Sequence, residues 1–217
     1  MDATSGATPT VSGAAALFRD WYLDAVGTDI DAPGLLYANL LLMGDRVDES
    51  GAYLNTGFDE LTGAGRLRMR KYDYLDGPAD WDDGSFCVDD DTTYTIEVAP
   101  TGLDADVDMI KAVIWWYDHR HDSGVRHDNL KLSLNRYDED LAAWEIVRTS
   151  DNGDNKHRVY LADPTTGAYR LRVTGVDVTS DYEGCGTNST RVYYAWVYED
   201  LARDTNTDLD DQVRPEE

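Results

Sequence analysis

Ser5 is the residue best placed to do chemistry, because it stands at the start of a segment with helical periodicity. Apolar residues follow it at spacings of three and four and form one face of the expected helix: Ala7, Val11, Ala14, Phe18 and Trp21. A backbone N–H in the first helical turn has no partner within the helix, and the helix dipole favours negative charge there. A nucleophilic serine needs such a donor for the oxyanion, together with a neighbouring base. Ser5 is therefore a candidate nucleophile, and the alternative is an ordinary N-cap.

A second group of polar residues lies between positions 118 and 128. His119 and His121 alternate, so on a strand both rings would face the same side, as a metal requires. No cysteine lies nearby, which makes a transition metal the weaker interpretation. Asp118 and Asp128, together with loop carbonyls, offer the oxygen ligands that calcium prefers. We predict a structural calcium at these two residues and no cofactor for catalysis. The alternative is a solvated hairpin loop.

Two helices are expected to position Ser5. The first ends at Gly27, and a second follows in which Asp31 is a plausible N-cap and Pro33 suits the first turn. The segment from Leu35 to Met43 is dense in apolar residues, and Gly44 follows it.

Beyond a loop at 73–83 the pattern changes to short β-branched and aromatic runs separated by turn residues, which indicates an antiparallel sandwich. The runs are Tyr94 to Val98, Met109 to Tyr117, Leu130 to Tyr137, Trp144 to Thr149, Arg158 to Ala162, Ala168 to Val173 and Arg191 to Tyr198. We therefore divide the chain into residues 1–72, a sandwich domain at 73–200 and an acidic, flexible tail at 201–217.

The composition is strongly acidic, with 19 Lys and Arg against 43 Asp and Glu and a formal net charge of −24 in 217 residues. Such a surface would repel a phosphate backbone, so we expect no nucleic-acid partner. No apolar run has membrane-spanning length, and the start of the chain lacks the pattern of a signal peptide.

Residues Ala3 to Gly13, with the sequence ATSGATPTVSG, resemble the nucleophile segment of subtilisin-like serine proteases, the subtilases of peptidase family S8. The family usually has glycine at the position of Ala3. Leu35 to Met43 resembles the next helix of that family, and Gly63 to Leu67 resembles the element that closes its catalytic domain. KAVIWWYD, RHDNLKLSL, DNGDNKHRVYL and GAYRLRVTG, in this order, are similar to the jelly-roll domain appended to some bacterial and archaeal subtilases.

The resemblance implies that Ser5 is the nucleophile of a secreted serine endopeptidase acting on polypeptides. It also implies that Ser5 opens the central buried helix of the catalytic domain. In this family the catalytic Asp and His precede the serine, and only four residues do so here. We therefore expect a C-terminal fragment that is inactive without the missing N-terminal part. The alternative is a non-catalytic secreted β-sandwich module that binds protein, carbohydrate or calcium.

The fold class that follows is α+β: the helical end of an α/β subtilisin-like catalytic domain, followed by an antiparallel, jelly-roll-like sandwich. Cys87 and Cys185 fit no zinc spacing, and two separate buried thiols are the alternative to a disulfide. Because the first and last strands of a sandwich are commonly neighbours, we predict a Cys87–Cys185 bridge with no part in catalysis.

Overall fold

The computed structural model describes residues 4–30, 32–45, 58, 63–67, 69, 81–103, 107–117, 128–151, 153–179, 181–182 and 184–199. Its helices are α1 (Thr4–Val26) and α2 (Pro33–Leu42), followed by a short ribbon of β1 (Gly44–Asp45) and β2 (Arg66–Leu67). The longer strands are β3 (Trp81–Asp89), β4 (Thr93–Leu103), β5 (Met109–Trp116), β6 (Asn129–Asp138), β7 (Ala143–Ser150), β8 (Lys156–Ala162), β9 (Gly167–Asp177) and β10 (Ser189–Glu199).

The eight longer strands form two antiparallel four-stranded sheets. The first sheet has the order β3-β10-β5-β8 and the second has the order β4-β9-β6-β7. Consecutive strands mostly lie in opposite sheets, and the first and last strands are neighbours, which is the strand order of a jelly roll. The sandwich thus brings strands together that are far apart in the sequence.

The main core lies between the two sheets, because every strand sends alternate residues inward. In β9, Tyr169, Leu171 and Val173 are buried and the residues between them are half-exposed. From the first sheet, Trp116 and its neighbours in β5 fill the same core. The burial of these apolar side chains is the main force that holds the sheets together.

The helices form a layer on the outer face of the first sheet. Phe18 and Met43 are fully buried there against Val113 and Tyr193 of β5 and β10. Gly34 lets α2 approach very closely, since a Cβ at this position would overlap ring atoms of Tyr193. The first sheet is therefore covered on both faces, which explains the nearly continuous burial of β5.

Two buried basic side chains connect the β1–β2 ribbon to the first sheet by hydrogen bonds. Lys111 Nζ donates to the Gly44 carbonyl at 2.6 Å and to Asp45 Oδ1 at 2.8 Å. Arg158 Nη1 donates to the carbonyls of Gly44 and Ala64 at 3.0 and 2.8 Å. Both charges thus find polar partners, as burial requires.

The predicted fold class, with the helical end of an α/β subtilisin-like domain before a sandwich, is wrong. The described structure is mostly β, and its two helices lie on an antiparallel sheet of the sandwich itself. The prediction failed because an apolar helix face does not specify which kind of sheet will cover it. The division at 1–72, 73–200 and 201–217 stays a prediction, since positions 70–80 and 200–217 lie outside the described residues.

Local signals predicted most elements well. The seven sequence runs coincide with β4 to β10, and the structure adds β3 (Trp81–Asp89) as the first sandwich strand. Gly27 follows α1 with a φ of 78°, and its N–H donates to the Leu23 carbonyl at 2.9 Å. Pro33 lies in the first turn of α2, whose N-cap is Ala32. Asp31 lies outside the described residues.

Candidate functional site

Ser5 lies in the first turn of α1, which begins at Thr4. The dipole and unpaired N–H groups of a helix N-terminus are therefore available at this position. Pro9 lies inside the same helix and has no N–H to donate to the Ser5 carbonyl four residues earlier. The backbone around Ser5 is thus less tied to the helix than that of a mid-helix residue.

The apolar face of α1 is covered along only part of its length. Ala14, Phe18 and Tyr22 are buried by the rest of the described chain, and Trp21 is half-buried. Residues 7–13 are all exposed, and Val11 of the same face is 43% exposed. The buried central helix that the family resemblance implies is therefore not found in the described residues, because the sandwich covers α1 only from its middle onward.

His157 is the histidine that the structure describes, and it is fully buried between the sheets. Its Nε2 lies 2.6 Å from the Leu130 carbonyl, which accepts from it, and its Nδ1 accepts from Ser150 Oγ at 3.1 Å. Burial lowers the pKa of the ring, so His157 is neutral at neutral pH. Both ring nitrogens are engaged inside the sandwich, so His157 does not serve as the base for Ser5.

The Ser150–His157 pair was missed in the sequence, although the alternation of β8 could have placed His157 inward with Val159. The Ser150 hydroxyl is hydrogen-bonded to the His157 imidazole, as a nucleophile would be to its base. Complete burial of the imidazole keeps it away from substrate. Its role is structural, since it joins β8 of the first sheet to β6 and β7 of the second.

No protein-family model matches the sequence, and no curated protein matches it either. The resemblance to subtilisin-like proteases therefore stays a prediction.

Three solved structures are similar to parts of the chain. A mitogen from Yersinia pseudotuberculosis matches with a TM-score of 0.36 and 10% identity, over 55% of this chain and 86% of that one. PirA matches with a TM-score of 0.32 and 10% identity, over 54% of this chain and 93% of that one. The PBSX exported protein XepA matches with a TM-score of 0.35 and 12% identity, over 70% of this chain and 47% of that one. Similarities at these TM-scores carry no functional implication.

The predicted calcium ligands are not brought together in the described part of the chain. Asp118 lies outside the described residues, as do His119 and His121. Asp128 is buried just before β6, and its Oδ1 accepts from the Thr179 N–H at 2.9 Å. Asp128 thus ties the start of β6 to the loop after β9. No group of three metal-ligating side chains occurs among the residues that the structure describes.

The predicted disulfide between Cys87 and Cys185 is confirmed. Cys87 lies in β3 and Cys185 lies in the turn before β10, with a Cα–Cα distance of 5.5 Å. The bridge forms because β10 pairs with β3, a strand that precedes the first run expected from the sequence. It lies in the sandwich, as expected for a stabilising bridge.

A half-buried carboxyl between the helices and the sandwich was also missed. Asp83 Oδ1 accepts from the Tyr22 hydroxyl at 3.1 Å, and its Oδ2 accepts from Asn39 Nδ2 at 2.6 Å. Burial raises the pKa of Asp83 to about 6, although both hydrogen bonds act in the opposite direction. Neighbouring Asp82 accepts from the Tyr194 hydroxyl at 3.0 Å. This polar group links α1, α2 and the sandwich.

Neither helix in the described parts of the chain is both long and apolar enough to cross a membrane.

Proposed function

We propose that this chain belongs to a subtilisin-like serine endopeptidase and supplies its nucleophile, Ser5. The observation that carries the proposal is the segment ATSGATPTVSG together with the position of Ser5 in the first turn of α1. The exposure of residues 7–13 leaves the start of α1 accessible to other parts of the complete protein.

In this proposal the Ser5 hydroxyl attacks the carbonyl carbon of a peptide bond. A histidine removes the hydroxyl proton and returns it to the leaving amine, after which water hydrolyses the acyl-enzyme. The N-terminus of α1 favours the oxyanion, because its backbone N–H groups and dipole present positive charge. The base and its orienting aspartate come from polypeptide outside these 217 residues, in line with the order of residues in the family.

The disulfide also supports an extracellular site of action, since such bridges persist in oxidising surroundings. A structural calcium at Asp118 and Asp128 stays part of the proposal. At Asp128, one oxygen is already committed to the Thr179 N–H.

The test compares Ser5→Ala with Ser12→Ala in the complete protein. Ser12 lies exposed in the same helix, so its loss controls for helix stability. We expect Ser5→Ala to lower kcat on casein by about 10³-fold or more and to abolish labelling by a fluorophosphonate probe. Ser12→Ala should retain both the turnover of casein and the labelling by the probe. Near wild-type turnover in Ser5→Ala would remove Ser5 from the site.

The 217-residue chain by itself should neither cleave casein nor react with the probe, because the base is absent. Cleavage that disappears in Ser5→Ala of this chain would overturn the proposal that the triad is completed from outside.

The second candidate function is a non-catalytic binding module, favoured by the eight-stranded sandwich that makes up most of the described structure. If Ser5→Ala of the complete protein keeps full proteolytic activity, this chain does not supply the nucleophile. That result would favour the binding-module function.

A further inference from the structure

The outer face of the second sheet carries basic residues side by side in a chain that is otherwise strongly acidic. Arg170 and Arg172 alternate with buried Leu171 and Val173 in β9, so the two guanidinium groups point away from the core. Lys131 of the neighbouring strand β6 is paired with Thr174 of β9 and lies on the same face. The chain has 19 basic residues in all against 43 acidic ones, which makes this concentration unusual.

The described residues around these three side chains offer little negative charge. No carboxylate in the described part of the chain forms an ion pair with any of them. Glu97 of β4 is the cross-strand partner of Arg170 and attracts it from beyond ion-pair distance. Burial and the like charge of nearby Arg172 lower the pKa of Arg170, whereas Glu97 acts in the opposite direction. Among the described residues, the three basic side chains outnumber Glu97 on this face, which therefore carries a net positive charge.

The floor of this face is polar, ordered and flanked by aromatic rings. Ser133 Oγ donates to Asn135 Oδ1 at 3.2 Å, and both residues are buried beneath the longer side chains. Arg170 lies over the ring of Trp144 at 4.0 Å, which holds its guanidinium flat on the sheet. Ile146 of the edge strand is 58% exposed beside it. Arg170 is thus held in place on the sheet, which lowers the entropic penalty of binding a ligand there.

The spacing of the charges identifies the ligand. Arg170 and Arg172 are two residues apart on a strand, which separates them by about 6.6–6.8 Å along it. In an extended peptide, every second side chain repeats at the same distance on one side. Alternating Asp or Glu residues would therefore meet successive basic groups, whereas consecutive acidic residues would send half of their charges away.

We propose that the outer face of β4-β9-β6-β7 is a docking surface for an extended acidic segment of another polypeptide, in which acidic residues alternate with neutral ones. The carboxylates pair with Arg170, Arg172 and Lys131, and Ile146 and Trp144 offer apolar contact to the residues between them. This proposal does not depend on Ser5 and goes beyond the proteolytic function proposed above.

The experiment measures fluorescence anisotropy of a labelled twelve-residue peptide of alternating Glu and Thr with the 217-residue chain at fixed salt. We expect the double variant Lys131→Glu/Arg172→Glu to lose about ten-fold or more in affinity. The single variant Arg172→Glu is compared with the control variant Arg19→Glu. Arg19 is exposed on α1, and its replacement changes the net charge by the same amount. The control should bind the peptide as the wild type does. Arg172→Gln tests the same contact without introducing repulsion, and circular dichroism checks the folding of every variant.

A peptide of the same composition with its Glu and Thr in separate blocks should bind several-fold more weakly. Equal binding of the two peptides, or unchanged binding in folded Arg172→Glu and Arg172→Gln, would overturn the proposal. Two further results would also overturn it. One is binding of a sulfated polysaccharide without binding of the peptide. The other is self-association of the chain that Arg172→Glu abolishes, which would make a second copy the partner.

Discussion

Asp83 shows how one half-buried carboxyl can couple the packing of two helices to pH. Its oxygens accept from Tyr22 of α1 and Asn39 of α2, so the group lies where both helices meet β3. Burial disfavours the charged form and raises the pKa of Asp83 from 3.8 to about 6. The folded protein therefore binds this proton more tightly than the unfolded chain does.

From this shift we expect the contribution of Asp83 to the free energy of unfolding to fall as pH rises from about 4 to about 6, and to stay constant above that range. The slope approaches ~1.4 kcal/mol per pH unit at its steepest. Asp83→Asn should remove this component, because the amide does not ionise. The measurement is urea unfolding of both proteins across this pH range.

His157 acts with the opposite sign on the same experiment. Its pKa is lowered from 6.5 by burial, so its contribution to stability is full above that value and is lost as pH falls below it. The difference between the wild-type and Asp83→Asn curves cancels His157, since both proteins contain it. A difference curve that is flat from pH 4 to 6 would show that Asp83 ionises normally in the folded state.

At the scale of elements, the two helices use glycine in different ways. Gly34 of α2 is buried, and an added Cβ would overlap the ring of Tyr193. An added Cβ at Gly13 of α1 would meet nothing within 4 Å. The two sites therefore separate helix propensity, which favours alanine at both, from packing, which opposes alanine only at Gly34.

We expect Gly13→Ala to stabilise the 217-residue chain by about 0.5–1 kcal/mol through helix propensity. Gly34→Ala should instead destabilise it by about 1–3 kcal/mol, because α2 must move away from β10. Thermal unfolding of the two variants beside the wild type checks both values. Equal effects at the two sites would mean that α2 does not pack on Tyr193 as described.

At the scale of the whole molecule, the disulfide joins the ends of the sandwich. Cys87 and Cys185 are 98 residues apart in sequence, and the bridge encloses most of both sheets. A loop of this length, when closed in the unfolded chain, is expected to stabilise the native state by roughly 4–5 kcal/mol.

The double variant Cys87→Ser/Cys185→Ser should therefore unfold at a much lower urea concentration than the oxidised wild type. Treatment with a reductant should bring the wild type to the same midpoint and leave the variant unchanged. An oxidised wild type that unfolds at the midpoint of the variant would show that the bridge contributes no stability.

The two outer faces of the sandwich also differ at this scale. Helices cover the first sheet, whereas the second carries the basic side chains of Arg170, Arg172 and Lys131. The first face serves the packing of the chain itself, and the second is the one that we propose as a docking surface.

The amino-acid sequence by itself determined the features that depend on neighbours along the chain. Alternating apolar residues predicted β4 to β10, and glycine and proline predicted the ends of the helices near Gly27 and Pro33. The partner of Cys87 also followed, because only one other cysteine exists. The segment around Ser5 suggested an activity through its order of residues, and that suggestion stays a prediction.

Only the tertiary structure decided what each polar or apolar side chain meets across the fold. Trp81–Asp89 contains two aspartates and a glycine early in the strand and becomes β3 because β10 supplies its hydrogen-bonding partner. Asp83 and Lys111 look like surface residues in the sequence and are enclosed by segments more than forty residues away. Arg172 alternates as any solvent-facing residue would, and only the sheet shows that it forms no ion pair with a described carboxylate and lies beside Arg170. The physical reason is that burial and charge compensation depend on distant segments, which local patterns do not specify.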